Sequence, residues 1–267
     1  MARTPPRWPW PVHLGLAAST LLALIAVNVR LVCSPLYLRA AYGLLRPADA
    51  VPAGPPAFVA SAAAVTTAYV AGRAPRDAIA GLVDDGRPSL AADRGGSPAA
   101  TPRPAARAVP SGAGASGDDA AARPTGQATG PALYTESEID HLADVRRVIR
   151  ALFGLGWAAA AVIALALAAD RSTGRGRTFA ALASGGRLGV GITILVGGLI
   201  AGAWNVLFTT FHELLFTAGT WQFPADSRLI QLFPDWFWQS AAAVLALLLL
   251  VEGLVIGWAA RRAGRAA

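Results

Sequence analysis

Apolar residues gather along this chain into four long blocks, separated by polar or arginine-bearing segments. The first runs from Val12 to Val29 and is interrupted only by His13 near its start. The second, Ala151 to Ala169, holds 19 residues without a charge, and the third, Leu188 to Phe211, holds 24. The fourth, Trp236 to Ala260, holds 25 residues with one acid, Glu252. About 20 apolar residues carry a helix across the hydrocarbon core of a bilayer. Inside lipid the backbone is satisfied only in helices or closed barrels, and the alternation of barrel strands is absent here. The pattern therefore predicts four membrane-spanning helices. The first block resembles a secretory signal, but no small-x-small cleavage pattern follows it, since the chain reads Asn28-Val29-Arg30. Cys33 lacks a lipobox, so the block is read as an uncleaved span.

The fold expected is an all-α membrane protein with four transmembrane helices and a small, partly disordered extracytoplasmic domain between spans 1 and 2. Residues 1–33 form the N-terminus and span 1, and residues 34–147 the extracytoplasmic region. Span 2 covers 148–169, a basic loop 170–187, span 3 188–211, an aromatic loop 212–235, span 4 236–260, and a tail 261–267. Within the long region, about 85–130 is Ala, Pro, Gly, Arg, Ser and Asp with almost no large apolar residue. Such a composition cannot bury enough surface to order itself, and it reads as a disordered insertion. Its flanks differ. Phe58 to Ala71 and Arg76 to Val83 have the pattern of short amphipathic helices, and Leu133-Tyr134 leads in extended form into the next element.

Composition agrees with this organisation. Charged residues are 15% of the chain and hydrophobic ones 54%, with a mean hydropathy of +0.46, against roughly 25% charged in soluble domains. Every basic residue is Arg, and the net charge is +7. Position explains that excess. Nine arginines (3, 7, 171, 175, 177, 187, 261, 262 and 265) fall on one side of a four-span protein, with Asp170 as the one acid among them. Short basic segments stay in the cytoplasm, so both termini are expected there. The excess marks topology and implies no nucleic-acid partner. A single cysteine excludes an internal disulfide framework and a Cys-based zinc site.

The chemistry-bearing residues collect at the opposite face. Thr135 and Glu138 have the spacing of a capping box that opens a helix. His141 follows about ten residues before span 2, roughly 15 Å above the hydrocarbon if the helix is straight. Glu138 and Asp144 stand three residues to either side of it, on its own helical face, where either carboxylate could orient the imidazole and raise its pKa. His212 lies where span 3 ends, ahead of Trp221, Phe223, Phe233, Trp236, Phe237 and Trp238. The third histidine, His13, is at the other end of span 1. Plain alternatives exist for each feature. A lone interfacial His is commonly an amphipathic side chain, acids complement a helix N-terminus, and Trp and Phe form interfacial belts. Glu252 lies toward the cytoplasmic end of span 4 and Cys33 at the outer end of span 1, and both read as structural. No serine-hydrolase elbow, zinc-protease motif, P-loop or dinucleotide fingerprint occurs. The residues alone leave the reaction open.

Two segments resemble a known family. Leu133-Tyr134-Thr135-Glu136-Ser137-Glu138-Ile139-Asp140-His141-Leu142-Ala143-Asp144-Val145 is similar to the first signature of the lipoprotein intramolecular transacylase (Lit) family. Phe211-His212, with Phe216, Trp221, Phe223, Leu229-Ile230 and Leu232-Phe233-Pro234, is similar to its second. Ser34-Pro35-Leu36-Tyr37-Leu38 also resembles the family. Leu142 replaces the usual Met, and Leu215 the first Phe after His212. The resemblance implies an acyltransferase without a cofactor or metal, acting on diacylated bacterial lipoproteins in membrane lipid at the extracytoplasmic face. It would move the sn-2 acyl chain of the diacylglyceryl-modified N-terminal Cys onto the α-amino group of that Cys, giving a lyso-form lipoprotein. The implied catalytic residues are His141, His212, Asp144 and Glu138; because Glu138 and Asp144 can orient His141, it is expected as the base, leaving His212 to polarise the ester or stabilise the oxyanion. Tyr134, Phe211, Phe216 and Trp221 would bind substrate. Two other readings stay open. One is a metal-dependent membrane hydrolase using both histidines and one of Glu138, Asp144 or Glu213. The other is a non-catalytic membrane protein with structural histidines.

Overall fold

The computed structural model describes residues 8–44, 54–84, 131–170 and 176–266, and every regular element among them is helical. The insertion expected at 85–130 lies outside the described residues. Four helices are long and apolar enough to cross a membrane: α1 (Trp10–Val32), α5 (Glu136–Ala169), α6 (Gly176–Gly202), and the Asp235–Ala260 portion of α9 (Asp235–Ala266). Between α1 and α5 lie α2 (Pro35–Gly43), α3 (Pro56–Val70) and α4 (Arg76–Ala80). Between α6 and α9 lie α7 (Trp204–Leu215) and α8 (Arg228–Leu232).

The long helices pack through small residues, as expected where lipid tails are as apolar as the side chains and close backbone approach supplies the attraction. α1 lies against α5 and α6, and α6 against α9. At the α6–α9 crossing Gly186 faces Gly253, and a Cβ on Gly253 would stand 2.5 Å from the Gly186 carbonyl oxygen. Gly185 meets α1 in the same way, with the Ala17 carbonyl 2.5 Å from where its Cβ would be. Large apolar residues such as Trp157, Leu165, Ile194 and Val255 point outward, the surface expected of a lipid-facing bundle. Asn28, almost fully buried in α1, donates to Glu252 of α9 at 2.9 Å. The intramembrane acid is thus bonded to a neighbouring span.

The buried side-chain core sits at one end of the bundle. Tyr37 and Leu38 of α2, Val59 and Ala63 of α3, Ile79 of α4, Ile139 and Leu142 of α5, and Leu232 and Phe237 of the last segment form a single cluster. Both flanks fold in this cap, with two corrections: α3 is apolar all round rather than amphipathic, and α4 ends at Ala80, leaving Val83 to pair in extended form. Local rules build its helices. Ser34 caps α2 by accepting from the Tyr37 N–H, ahead of Pro35 at the first helical position. Thr135 and Glu138 complete the expected capping box at the start of α5. Val83 and Ala132 pair as an antiparallel bridge, flanked by Leu133 N–H to Leu82 O at 2.8 Å and Asp84 N–H to Pro131 O at 3.0 Å. The two ends of the 85–130 segment therefore leave the cap side by side.

One helix differs from its expected course. The apolar run 188–211 predicts a single rod, but the backbone breaks at Ala203 (φ −149°, ψ 44°), ending α6 and starting α7. α7 buries none of its residues, and Phe211, Leu214 and Leu215 are exposed on it. This short helix carries His212.

Candidate active site

Two elements bring the capped-end histidines together. α5 runs unbroken for 34 residues, about 51 Å, and holds His141 one turn inside its capped N-terminus, well above the apolar run that begins at Ala151. α7 lays His212 beside it. The imidazole centroids are 6.2 Å apart with the rings inclined by 24°. Aromatic rings enclose the pair. Phe216 lies 4.9 Å from His141 and 5.5 Å from His212, Phe223 is 5.5 Å from His141, and Phe208 and Trp221 are 4.1 and 4.9 Å from His212. Phe211, half exposed, approaches His212 at 5.4 Å.

The two rings are held differently. His212 Nδ1 is 2.8 Å from the Phe208 carbonyl oxygen, one helical turn back. A carbonyl only accepts, so Nδ1 carries the hydrogen, and in the neutral ring Nε2 keeps its lone pair. His141 Nδ1 is buried and has no hydrogen-bond partner. Burial, and after it the proximity of His212, lower the His141 pKa to about 4 against the opposing effect of Asp144. Burial also lowers the His212 pKa, against the effect of the Phe208 carbonyl. The expectation that neighbouring carboxylates raise His141 is thus corrected: removal from water outweighs the attraction of Asp144. Both rings are neutral near pH 7.

Residues 125–238 match the family model described as "Lipoprotein intramolecular transacylase Lit". The match spans less than half of the chain, which over those residues is similar to the Lit family. The matched stretch holds both histidines and every ring around them. A solved structure, the membrane-integral lipoprotein intramolecular transacylase Lit from Bacillus cereus, shares the fold: the alignment covers 95% of this chain and 94% of that one, with a TM-score of 0.64 at 15% identity. No curated protein matches the chain by sequence.

Within this Lit-type fold the expected site residues separate into two groups. His141, His212, Phe211, Phe216 and Trp221 come together in one cluster of rings. Glu138 and Tyr134 make their hydrogen bonds outside it. The Glu138 side chain, 2% exposed, accepts from Thr135 N–H at 2.7 Å, Ser227 Oγ at 2.6 Å and Leu229 N–H at 3.0 Å. It ties the start of α5 to the start of α8 and is spent on that tie. Tyr134 is buried in the cap core, its hydroxyl 2.8 Å from Thr66 Oγ1. Asp144 pairs with Arg147 on its own helix and acts on His141 only through space. Arg228 makes a separate tie from α8 to the base of the Val83–Ala132 bridge, donating to Asp84 from Nε at 2.8 Å and from Nη2 at 2.6 Å. The metal reading needs a third ligand beside the histidines, and among the described residues no three His, Cys, Asp or Glu side chains gather. Cys33 is buried, and burial pushes its thiol up to about 11, far from a reactive thiolate.

Phe208 and Phe223 also belong to the ring cluster, beyond the residues expected there. Phe208 was legible in part, because position i−4 on a helix puts its carbonyl within reach of a His Nδ1. Phe223 left no local signal, since the α7–α8 loop must fold back to bring it to His141.

Proposed function

We propose that the protein transfers the sn-2 acyl chain of a diacylglyceryl-modified lipoprotein N-terminal Cys onto that residue's own α-amino group, at the extracytoplasmic face of a bacterial plasma membrane. The observation that supports this most is the neutral histidine pair in an aromatic enclosure, with His212 held in the tautomer that leaves Nε2 as an acceptor. Ester donor and amine acceptor sit on one molecule, so proximity is inherent and no acyl-enzyme nucleophile is needed. The amine attacks the ester carbonyl carbon, and its surplus proton passes to His212 Nε2. The ring N–H of His141 donates to the tetrahedral oxyanion. Collapse forms the amide and breaks the ester, and the departing glyceryl oxygen takes the proton from His212. Each atom and proton is accounted for without water, which the surrounding rings help to exclude.

This division reverses the expected assignment of His141 as the base. His212 suits the base because its Nδ1–H is anchored. His141 suits the donor because its strongly depressed pKa keeps it neutral. The exposed Phe211, Leu214 and Leu215 on α7 give acyl chains an apolar approach from the side. A lipoprotein reporter, made in cells lacking other N-acylating enzymes, should acquire an amine closed to amine-reactive labelling only when this chain is present, and chelators should leave that change intact. A reporter whose amine stays open would sink the assignment. Loss of conversion on chelation would favour the metal hydrolase.

A further inference from the structure

The third histidine belongs to a second constellation, at the end of the bundle opposite the pair. His13 Nε2 lies 2.9 Å from Ser184 Oγ, and Arg187 Nη2 donates to that same oxygen at 2.8 Å. Ser184 Oγ also lies 3.1 Å from the Ala180 carbonyl, which can only accept. With the hydroxyl hydrogen given to Ala180, the oxygen accepts from both His13 and Arg187. His13 Nδ1 is buried and unpartnered, and the Arg187 side chain reaches the exposed surface. Nothing in the acyl transfer uses this cluster.

Two clefts meet at these three side chains. One, about 550 Å³, continues along α1 and α6 between Leu14, Ala17, Leu188, Gly191, Ile192 and Leu195. It is almost wholly apolar, and Leu14, Leu188 and Leu195 are open on its lipid-facing side. From Ser184 to Leu195 it extends roughly 16 Å along the helix axis. The other, about 640 Å³, spreads from the same three residues toward Trp8, Trp10 and the end of α9 at Gly257 and Ala260. Trp10 is 74% exposed, as an interfacial ring would be. An apolar channel that ends in an arginine, a histidine and a hydroxyl, beneath an interfacial tryptophan, has the shape and charge of a lipid with a negative headgroup.

We infer that this cleft binds one anionic phospholipid, with its phosphate on the remaining N–H groups of the Arg187 guanidinium, which Ser184 and His13 hold in place, and one acyl chain in the α1–α6 groove. Basic pockets between spanning helices take such headgroups, and the guanidinium offers a forked donor set that matches phosphate oxygens. A headgroup carrying its own ammonium would cancel the attraction, so the site favours phosphatidylglycerol over phosphatidylcholine. The bound lipid would seal α1 against α6 at the end the cap does not cover.

Native mass spectrometry of the full chain, purified in mild detergent with each lipid added in turn, tests this. The wild type should retain one phosphatidylglycerol, roughly five- to tenfold more than phosphatidylcholine. Arg187→Gln should remove most of that preference. Leu195→Trp, which fills the groove and leaves the headgroup residues intact, should expel the lipid, and inorganic phosphate alone should not compete. Equal retention of the two lipids would overturn the proposal. Retention of phosphatidylglycerol unchanged in both variants would do so too, by placing the lipid elsewhere. The readout is independent of acyl transfer.

Discussion

At the capped end of the bundle two imidazoles lie 6.2 Å apart among phenylalanine and tryptophan rings. At the basic end one imidazole is bonded to a serine that also holds an arginine. The same side chain at a membrane boundary is thus set to different uses by what surrounds it. Enclosure by rings removes His141 and His212 from water and keeps them neutral, the state that can accept or donate a proton during acyl transfer. Hydrogen bonding to Ser184, which also accepts from Arg187, makes His13 part of the support of a guanidinium. The buried cap core holds the start of α5, and with it His141, through Glu138 and its bonds to Thr135, Ser227 and Leu229.

Substitutions can break that contrast, and the largest effect should come from the paired rings. His212→Ala and His141→Ala should each lower conversion of a diacylated lipopeptide by about 10²–10⁴-fold, with normal membrane insertion. Cys33→Ala should leave the rate unchanged. Near-normal turnover by either histidine variant would remove the pair from the mechanism.

Acid should sharpen the contrast next. Both rings have pKa values below their ordinary 6.5. As pH falls through about 6.5 the unfolded chain binds protons that the folded rings refuse, until His141 yields near 4. Stability should therefore decline across that window, and His141→Gln should flatten the decline in thermal-shift measurements. Conversion should fall as His212 becomes charged. It should rise toward about pH 8, where an α-amino group is deprotonated. A profile flat from pH 4 to 8 would contradict the assignment.

The tie beneath the site should matter next. Glu138→Ala deprives the Thr135 and Leu229 N–H groups and Ser227 Oγ of their acceptor. Lost capping together with stranded buried donors costs about 2–4 kcal/mol. Thermal unfolding should show it, while the pH dependence of the residual activity keeps its shape. A shifted pH profile would return Glu138 to the proton transfer. Asp144→Asn removes the one group that supports protonation of His141, and should change rates less than about tenfold. Replacing 85–130 by a short linker should have the least effect on conversion, because Val83 and Ala132 already pair at its base.

Particular residues show what the sequence could and could not reveal. The four apolar blocks and the Thr135–Glu138 box were legible, because span length and capping are local properties. The break at Ala203 was hidden inside an uninterrupted apolar run that scans as one rod. Glu138 has the right spacing to orient His141, yet its oxygens are claimed by Thr135, Ser227 and Leu229, two of them from a segment about 90 residues away that no spacing rule reaches. The sign of the His141 shift depends on burial among Phe216 and Phe223, which only the folded loop supplies.

The most direct test of the central claim exploits conservation of mass. Transfer within one lipoprotein moves an acyl chain without losing it. Purified protein should leave the intact mass of a synthetic diacylglyceryl-cysteine peptide unchanged, while tandem fragmentation shows one chain moved from the glyceryl group to the N-terminal amide. His212→Ala should leave the fragmentation pattern of the starting peptide. A product lighter by one acyl chain, or a peptide with both chains still on glycerol after incubation with the wild type, would contradict an intramolecular transfer by the histidine pair.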